Sequence, residues 1–123
     1  MLPWQVLQKR NPMASYRYLL GGEHASGQMI KDSVLEAISL ANHVHLLAER
    51  YNVFIALHTD HCRSEKLESF LYPLVEETEK RRSEGKSNLF QSHMFDGSSL
   101  PIDENMRISK KLMEICTKNQ IIL

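Results

Sequence analysis

The sequence lacks several features that would place it in a specialised class of protein. No apolar run approaches the roughly 18 residues of a membrane-spanning helix, and the first ten residues have neither the charged start nor the apolar stretch of a signal peptide. Only two of the 123 residues are cysteine, so a disulfide-stabilised secreted domain is not indicated and both thiols are expected to be reduced. We therefore predict a cytoplasmic protein without a membrane partner.

The chain also has no excess of charge of either sign, because fifteen basic residues balance fifteen acidic ones. Nucleic-acid-binding domains usually carry a basic patch, and anionic membrane surfaces attract the same kind of patch. Neither partner is indicated here. With 42% hydrophobic and 24% charged residues, the composition is that of one globular domain.

What the sequence does contain is a series of short apolar runs that predict strands. Residues 1–15 show no sustained period and are interpreted as a poorly specified leader, which leaves 16–123 as the domain. The predicted strands are Tyr16–Leu20, Val53–Leu57, a run that opens at Leu89 and ends in Ser92–Asp96, and a last run that begins at Ile121.

Amphipathic stripes between these runs predict three helices. They extend from Val34 to near Asn52 with Asp32 or Ser33 as N-cap, from a Ser64 cap to Gly85, and from an Asp103 cap to Asn119. Pro73 lies inside the second stripe and predicts a kink or a break. Strands that alternate with helices favour an α/β fold with parallel strands.

Two polar clusters lie where predicted strands end, and this is the edge at which parallel α/β folds build their sites. The first is His58-Thr59-Asp60-His61-Cys62, and the second is Ser92-His93 with Asp96. Imidazole, carboxylate and thiolate are all zinc ligands. On a regular strand, however, His58 and His61 lie on opposite faces, so they would not bind one metal together without a turn.

A purely structural interpretation of these clusters is also open. The histidines of the first cluster could simply hydrogen-bond their loop, and the second cluster could consist of a packed His93 and a loop-capping Asp96. His43 and His45 point to different faces of a helix, so they are treated as ordinary helix residues.

Residues 56–62, Ala-Leu-His-Thr-Asp-His-Cys, closely resemble the metal-binding strand of class II fructose-bisphosphate aldolases. The segment Leu89–Ser98 resembles the next strand and loop of that family, and Pro101–Asn105 and Ile121–Leu123 follow it as well. The resemblance covers roughly residues 21–123. It implies an α/β fold that is part of a TIM (β/α)₈ barrel, about half of a fold that takes about 250 residues when complete.

The resemblance also implies a site and a reaction. His61 would be a ligand of a catalytic zinc ion, Asp96 would contribute to a neighbouring second divalent metal position, and Asp60 would be the acid/base for the hydroxyl at the cleaved carbon–carbon bond. The implied enzyme is a glycolytic lyase that reversibly cleaves fructose 1,6-bisphosphate to dihydroxyacetone phosphate and glyceraldehyde 3-phosphate. Its partners would be this small sugar phosphate and, as in the family, a second subunit of a homodimer.

The sequence departs from the family in two respects. Leu19 and Leu20 stand where the family has a Ser-Asn pair that contacts substrate, and the further zinc ligands and phosphate loops do not occur before Leu123. We therefore expect a truncated aldolase that is inactive alone. One alternative is a non-catalytic metal-binding or interaction module that uses His61 and Asp96. A hydrolase that uses His58 and Asp60 is less well supported, because no nucleophile motif accompanies them.

Overall fold

The computed structural model describes residues 32–51 and 54–123, in which helices and strands alternate. The elements are α1 (Ser33–Tyr51), β1 (His58–Arg63), a 3₁₀ turn (Ser64–Lys66), a π turn (Leu67–Leu71), α2 (Tyr72–Ser83), β2 (Ser92–Asp96) and α3 (Ile102–Lys118). The predicted leader 1–15 and the predicted strand Tyr16–Leu20 lie outside the described residues. Within the described ranges, no helix is long and apolar enough to cross a membrane.

Helix α1 begins where the sequence offers a side-chain cap. The Asp32 carboxylate accepts a hydrogen bond from the backbone N–H of Leu35 at 3.0 Å, so Asp32 rather than Ser33 is the N-cap. Ala37 and Ala41 are the buried residues of this helix. Both side chains belong to the main hydrophobic core.

The two strands are parallel, as predicted, but each begins later than the apolar run that predicted it. The apolar segment before β1 is not a strand where the structure describes it, at residues 54–57. Leu57 donates its backbone N–H to the side-chain Oε1 of Gln91 at 2.7 Å instead of to a backbone carbonyl. The ladder therefore starts at His58, and the polar clusters lie within the strands rather than after them.

A further strand position follows α3, close to the predicted one. Ile122 forms an isolated parallel bridge with Ser92, in which its N–H donates to the Gln91 carbonyl and its carbonyl accepts the His93 N–H, both at 2.9 Å. The parallel order is therefore β1, β2, Ile122, with neighbours in chain order. This is the order that a β/α barrel requires.

The segment from Ser64 to Ser83 is continuous but irregular, because Pro73 interrupts it as predicted. Pro73 has no N–H to donate to the carbonyl four residues back, and its ring would collide with that carbonyl. The Tyr72 N–H instead bonds to the Leu67 carbonyl five residues back, which makes the π turn. The predicted Ser64 cap was wrong, because Arg63 occupies the cap position and no side chain caps the turn.

The start of α3 also differs from the prediction. Pro101 is the N-cap residue, and no side chain caps the helix. Asp103 lies instead in the first turn with Glu104, where negative charge is favourable because of the helix dipole. Asn119 ends α3, as predicted.

The main hydrophobic core lies between the sheet and the helices. Apolar side chains from all three helices, the π turn, β1 and the segments before β1 and β2 meet there: Ala37, Ala41, Leu57, Cys62, Leu67, Phe70, Leu71, Leu74, Leu89, Phe90 and Leu112. A smaller cluster of Val75, Cys116 and Ile121 joins α2 to the end of α3. One face of the sheet is thus buried, which leaves the other face for polar side chains.

Candidate functional site

An irregularity in β1 determines which side chains share a face of the sheet. His58 pairs with Ser92, but His61 pairs with Met94, so β1 has one more residue than β2 over this stretch. Because Ser92 and Met94 share a face, this β-bulge puts His58 and His61 on the same face. The prediction that His58 and His61 lie on opposite faces was wrong, because β1 is not a regular strand.

The bulge brings Asp60, His61 and Asp96 together. His61 Nδ1 lies 3.3 Å from Asp96 Oδ2, and His61 Nε2 lies 3.8 Å from Asp60 Oδ1. The His61 side chain is 62% exposed, whereas those of Asp60 and Asp96 are 17% and 22% exposed. Two partly shielded carboxylates therefore flank an accessible imidazole.

Asp96 is held in place by the loop that follows it. The backbone N–H of Ser98 donates to Asp96 Oδ1 at 3.0 Å. Hydrogen bonds from Ser98 are the main cause that lowers the pKa of Asp96 below its ordinary value, and the neighbouring His61 lowers it further. Asp96 thus caps its loop, as the structural interpretation proposed, and also presents an ionised carboxylate to His61.

In the loop after Asp96, the side chain of Asn105 lies very close to Gly97. The Asn105 side chain from α3 donates to the Gly97 carbonyl at 3.1 Å. A Cβ atom at position 97 would lie 2.5 Å from Asn105 Cγ, so any residue other than glycine would displace this contact. Helix α3 therefore helps to position the carboxylate one residue before Gly97.

His58 faces the same side of the sheet as His61 but has a different contact. Its Nδ1 is hydrogen-bonded to Ser92 Oγ at 2.8 Å. Sequence reasoning did not anticipate this role for Ser92. A signal was available, since the two residues occupy the first positions of two neighbouring polar clusters.

Cys62 was a candidate ligand that the structure does not bring to the site. Its side chain lies in the core on the helix-facing side of β1. Burial raises the pKa of the Cys62 thiol to about 11, so it stays protonated at neutral pH and is a poor metal ligand. Cys116 is also a buried free thiol.

His93 is a packed histidine, in agreement with the structural interpretation. It is 1% exposed, and its Nδ1 is hydrogen-bonded at 2.8 Å to Oγ1 of Thr59, which is fully buried. Burial, reinforced by the nearby His58, lowers the pKa of His93 to about 4, so the ring is neutral at physiological pH. Sequence reasoning gave no role to Thr59.

The histidine on α1 nearest to the core also has a structural role. His45 Nε2 is hydrogen-bonded to the Leu89 carbonyl at 2.7 Å, which fastens the segment before β2 to the helix. His43 is exposed on the same helix. Neither residue contributes to the group around His61.

The donor atoms around His61 are suitable for a divalent metal. His61 and Asp96 provide an imidazole nitrogen and a carboxylate oxygen, both of which divalent metals such as zinc accept as ligands. However, residues 32–51 and 54–123 contain no group of three or more His, Cys, Asp or Glu side chains arranged to hold a metal ion. These residues fit part of a metal site, and further ligands would have to come from elsewhere.

Comparison with known proteins shows which proteins the chain is similar to. The family model for class-II fructose-bisphosphate aldolase matches residues 20–123. The fructose-bisphosphate aldolases of Mycobacterium tuberculosis and Streptomyces galbus are each 47% identical over 103 residues, which is 84% of this chain and 30% of theirs. That of Borreliella burgdorferi is 48% identical over 91 residues, which is 74% of this chain and 25% of that relative.

A solved structure gives the same result. The crystal structure of the fructose-bisphosphate aldolase of Campylobacter jejuni matches 95% of this chain and 34% of its own, with 31% identity and a TM-score of 0.81. The chain thus spans about a third of the length of the relatives that it matches. The predicted partial TIM barrel is confirmed, and the chain belongs to the class II fructose-bisphosphate aldolase family.

Proposed function

We propose that this chain carries the first part of the metal centre of a class II fructose-bisphosphate aldolase. The reaction is the reversible aldol cleavage of fructose 1,6-bisphosphate to dihydroxyacetone phosphate and glyceraldehyde 3-phosphate. The observation that supports it most directly is the bulge in β1, which puts Asp60 and His61 beside each other and within reach of Asp96.

Each residue has a distinct role in this proposal. His61 is a zinc ligand, since its ring is neutral when it binds a metal and is accessible to it. Asp96 serves a second, neighbouring divalent metal, and the Ser98 hydrogen bonds that keep it ionised favour this role. Bound zinc supplies Lewis-acid polarisation of the substrate ketone.

Asp60 is the proposed acid/base. Its carboxylate takes and returns the proton of the hydroxyl at the cleaved carbon–carbon bond. This role requires a carboxylate that lies close to the metal but does not bind it as a ligand. Asp60 Oδ1 lies 3.8 Å from His61 Nε2. The carboxylate is therefore close enough to act on a substrate that binds at a metal ion held by His61. Its partial burial restricts the positions that the carboxylate adopts.

A zinc titration tests the metal-binding part of the proposal. Because the described residues form no three-ligand group, we expect the 123-residue chain to bind zinc more weakly than micromolar. His61→Ala should abolish this binding, whereas His43→Ala, at an exposed position of α1, should leave it unchanged in calorimetry. Binding tighter than micromolar would favour the alternative function, a self-sufficient metal-binding module.

A reconstitution experiment tests the catalytic part. The chain should not cleave fructose 1,6-bisphosphate by itself but should restore activity to a chain that carries the remaining two thirds of the Mycobacterium tuberculosis relative. Asp60→Asn should lower the restored kcat by roughly 10²- to 10⁴-fold, the usual contribution of a general acid/base. Full activity of the Asp60→Asn variant would contradict the assigned role.

A further inference from the structure

The buried pair Thr59 and His93 lies on the helix-facing side of the sheet, behind the residues of the site. We propose that this pair is a positioning device: it fixes the register of β1 at the last residue before the bulge and so keeps Asp60 and His61 together. This proposal deepens the proposed function and rests on it, because Asp60 and His61 form a site only if that function is correct. The register itself is observable without any metal.

The ladder between β1 and β2 has two registers, one on each side of the bulge. Before the bulge, His58 pairs with Ser92, and the Thr59–His93 hydrogen bond continues that register by one residue. After the bulge, His61 pairs with Met94, which is a register shifted by one. If the second register extended through the whole of β1, Asp60 instead of Thr59 would lie opposite His93.

Such a slip would change the face to which Asp60 points. His93 is 1% exposed and packs near the ring of Phe90, with 5.5 Å between the ring centroids. A carboxylate opposite it would be desolvated in the core and removed from the site. A one-residue slip of a strand moves its side chains to the other face, so a contact that is specific to one register excludes this outcome.

The pair is suited to this purpose because it is specific and fully enclosed. The Thr59 hydroxyl and His93 Nδ1 are 2.8 Å apart, and loss of either partner would leave a buried polar atom unsatisfied. The His93 ring is neutral at physiological pH, so its Nδ1 can accept the hydroxyl proton. Neither residue touches the exposed imidazole directly, so both act through the backbone of β1.

The test compares two buried threonines. Thr59→Val removes the hydroxyl behind the bulge, whereas Thr78→Val removes an equally buried hydroxyl that donates to the Leu74 carbonyl inside α2. In the metal-free chain, the nuclear Overhauser contact between the His61 ring and the Asp96 β-protons should be lost in Thr59→Val. It should persist in Thr78→Val and in Thr59→Ser, which keeps the hydroxyl.

A zinc titration followed by the His61 resonances supplies a second readout. Thr59→Val should weaken zinc binding by about tenfold, comparable with the loss of a group that orients a ligand, and Thr78→Val should not change it. If Thr59→Val does not fold, His93→Phe replaces it, because this variant keeps a packed ring but removes the acceptor.

The outcomes separate the two proposals. A His61–Asp96 contact that survives in both Thr59→Val and His93→Phe would overturn the positioning role, as would an equal loss in Thr78→Val. A wild-type chain whose His61 resonances do not respond to zinc would contradict the proposed function instead. In that case the comparison of the metal-free variants would still decide whether Thr59 and His93 set the register.

Discussion

Among single residues, His93 is a nearly fully buried ionisable group whose acid–base behaviour is changed by folding. Its pKa is about 4 in the folded chain, below the ordinary 6.5, because burial disfavours the charged ring. The unfolded chain therefore binds a proton that the folded chain does not bind between about pH 6.5 and pH 4. By linkage, the contribution of the neutral His93 ring to the free energy of unfolding is complete above pH 6.5. It is lost progressively as the pH drops towards 4.

We expect His93 to account for a loss of roughly 3 kcal/mol in the free energy of unfolding over that interval, at about 1.4 kcal/mol per pH unit. Urea unfolding at a series of pH values measures it. His93→Phe should be less sensitive to acid by this amount. Parallel curves for the wild type and the variant would show that another group causes the acid sensitivity.

A second prediction at the residue scale concerns Gly97. Gly97→Ala places a Cβ atom 2.5 Å from Asn105 Cγ, so Asn105 must move and lose its hydrogen bond to the Gly97 carbonyl. We expect a cost of about 1–3 kcal/mol, in the range of other overpacking substitutions. In Asn105→Ala the same glycine substitution should cost much less. Additive effects in this double-mutant cycle would disprove the steric explanation.

At the scale of elements, two helices end in the same way but with different residues. After α2, Gly85 has φ 73°, with hydrogen bonds from Lys86 N to Arg81 O and from Gly85 N to Arg82 O. After α3, Gln120 has φ 55°, with the equivalent bonds from Ile121 N to Cys116 O and from Gln120 N to Thr117 O. Both are Schellman motifs, in which glycine is the preferred left-handed residue.

Opposite substitutions should therefore have opposite effects at these two ends. Gly85→Ala should destabilise the chain by about 1 kcal/mol, although no atom lies within 4 Å of the added Cβ. Gln120→Gly should stabilise it by up to about 1 kcal/mol, since the exposed Arg82–Gln120 hydrogen bond that it loses contributes little. Thermal unfolding measures both, and a stabilising Gly85→Ala would contradict the argument.

The sequence predicted the type and order of the elements better than their limits. Helical periodicity located α1, α2 and α3, and Pro73 and Gly85 marked the interruption and the end of the second helix. The strands began later than their apolar runs because the N–H of Leu57 is taken by the Gln91 side chain, a contact 34 residues away in sequence that no local pattern reveals.

The same limit applied to the site. The polar clusters identified Asp60, His61 and Asp96 as candidates, but the rule that strand side chains alternate placed His58 and His61 on opposite faces. A bulge is a property of two paired strands, so it does not follow from the residues of one strand alone. Cys62, which the cluster included, lies on the helix side for the same reason.

For the whole molecule, stability depends on the core between the sheet and the helices. Leu74 is 1% exposed and touches this core from α2, whereas Leu46 on α1 is 64% exposed. We expect Leu74→Ala to cost about 2–5 kcal/mol, because it removes buried methyl groups and leaves a cavity. Leu46→Ala should cost less than about 0.5 kcal/mol. Chemical denaturation of the two variants checks this, and similar losses would show that the core lies elsewhere.

The extra residue in β1 also restricts how the length of this segment can change. Deleting one residue between His58 and His61 would restore an uninterrupted ladder, and would thus improve the backbone pairing. Deletion of Thr59 would also turn Asp60 towards the helices, where its carboxylate would lose its hydration, and deletion of Asp60 would remove that carboxylate altogether. Deletion variants of this short stretch should therefore gain backbone hydrogen bonds but lose the Asp60 carboxylate from the exposed face, so the more regular strand is the one without a complete site.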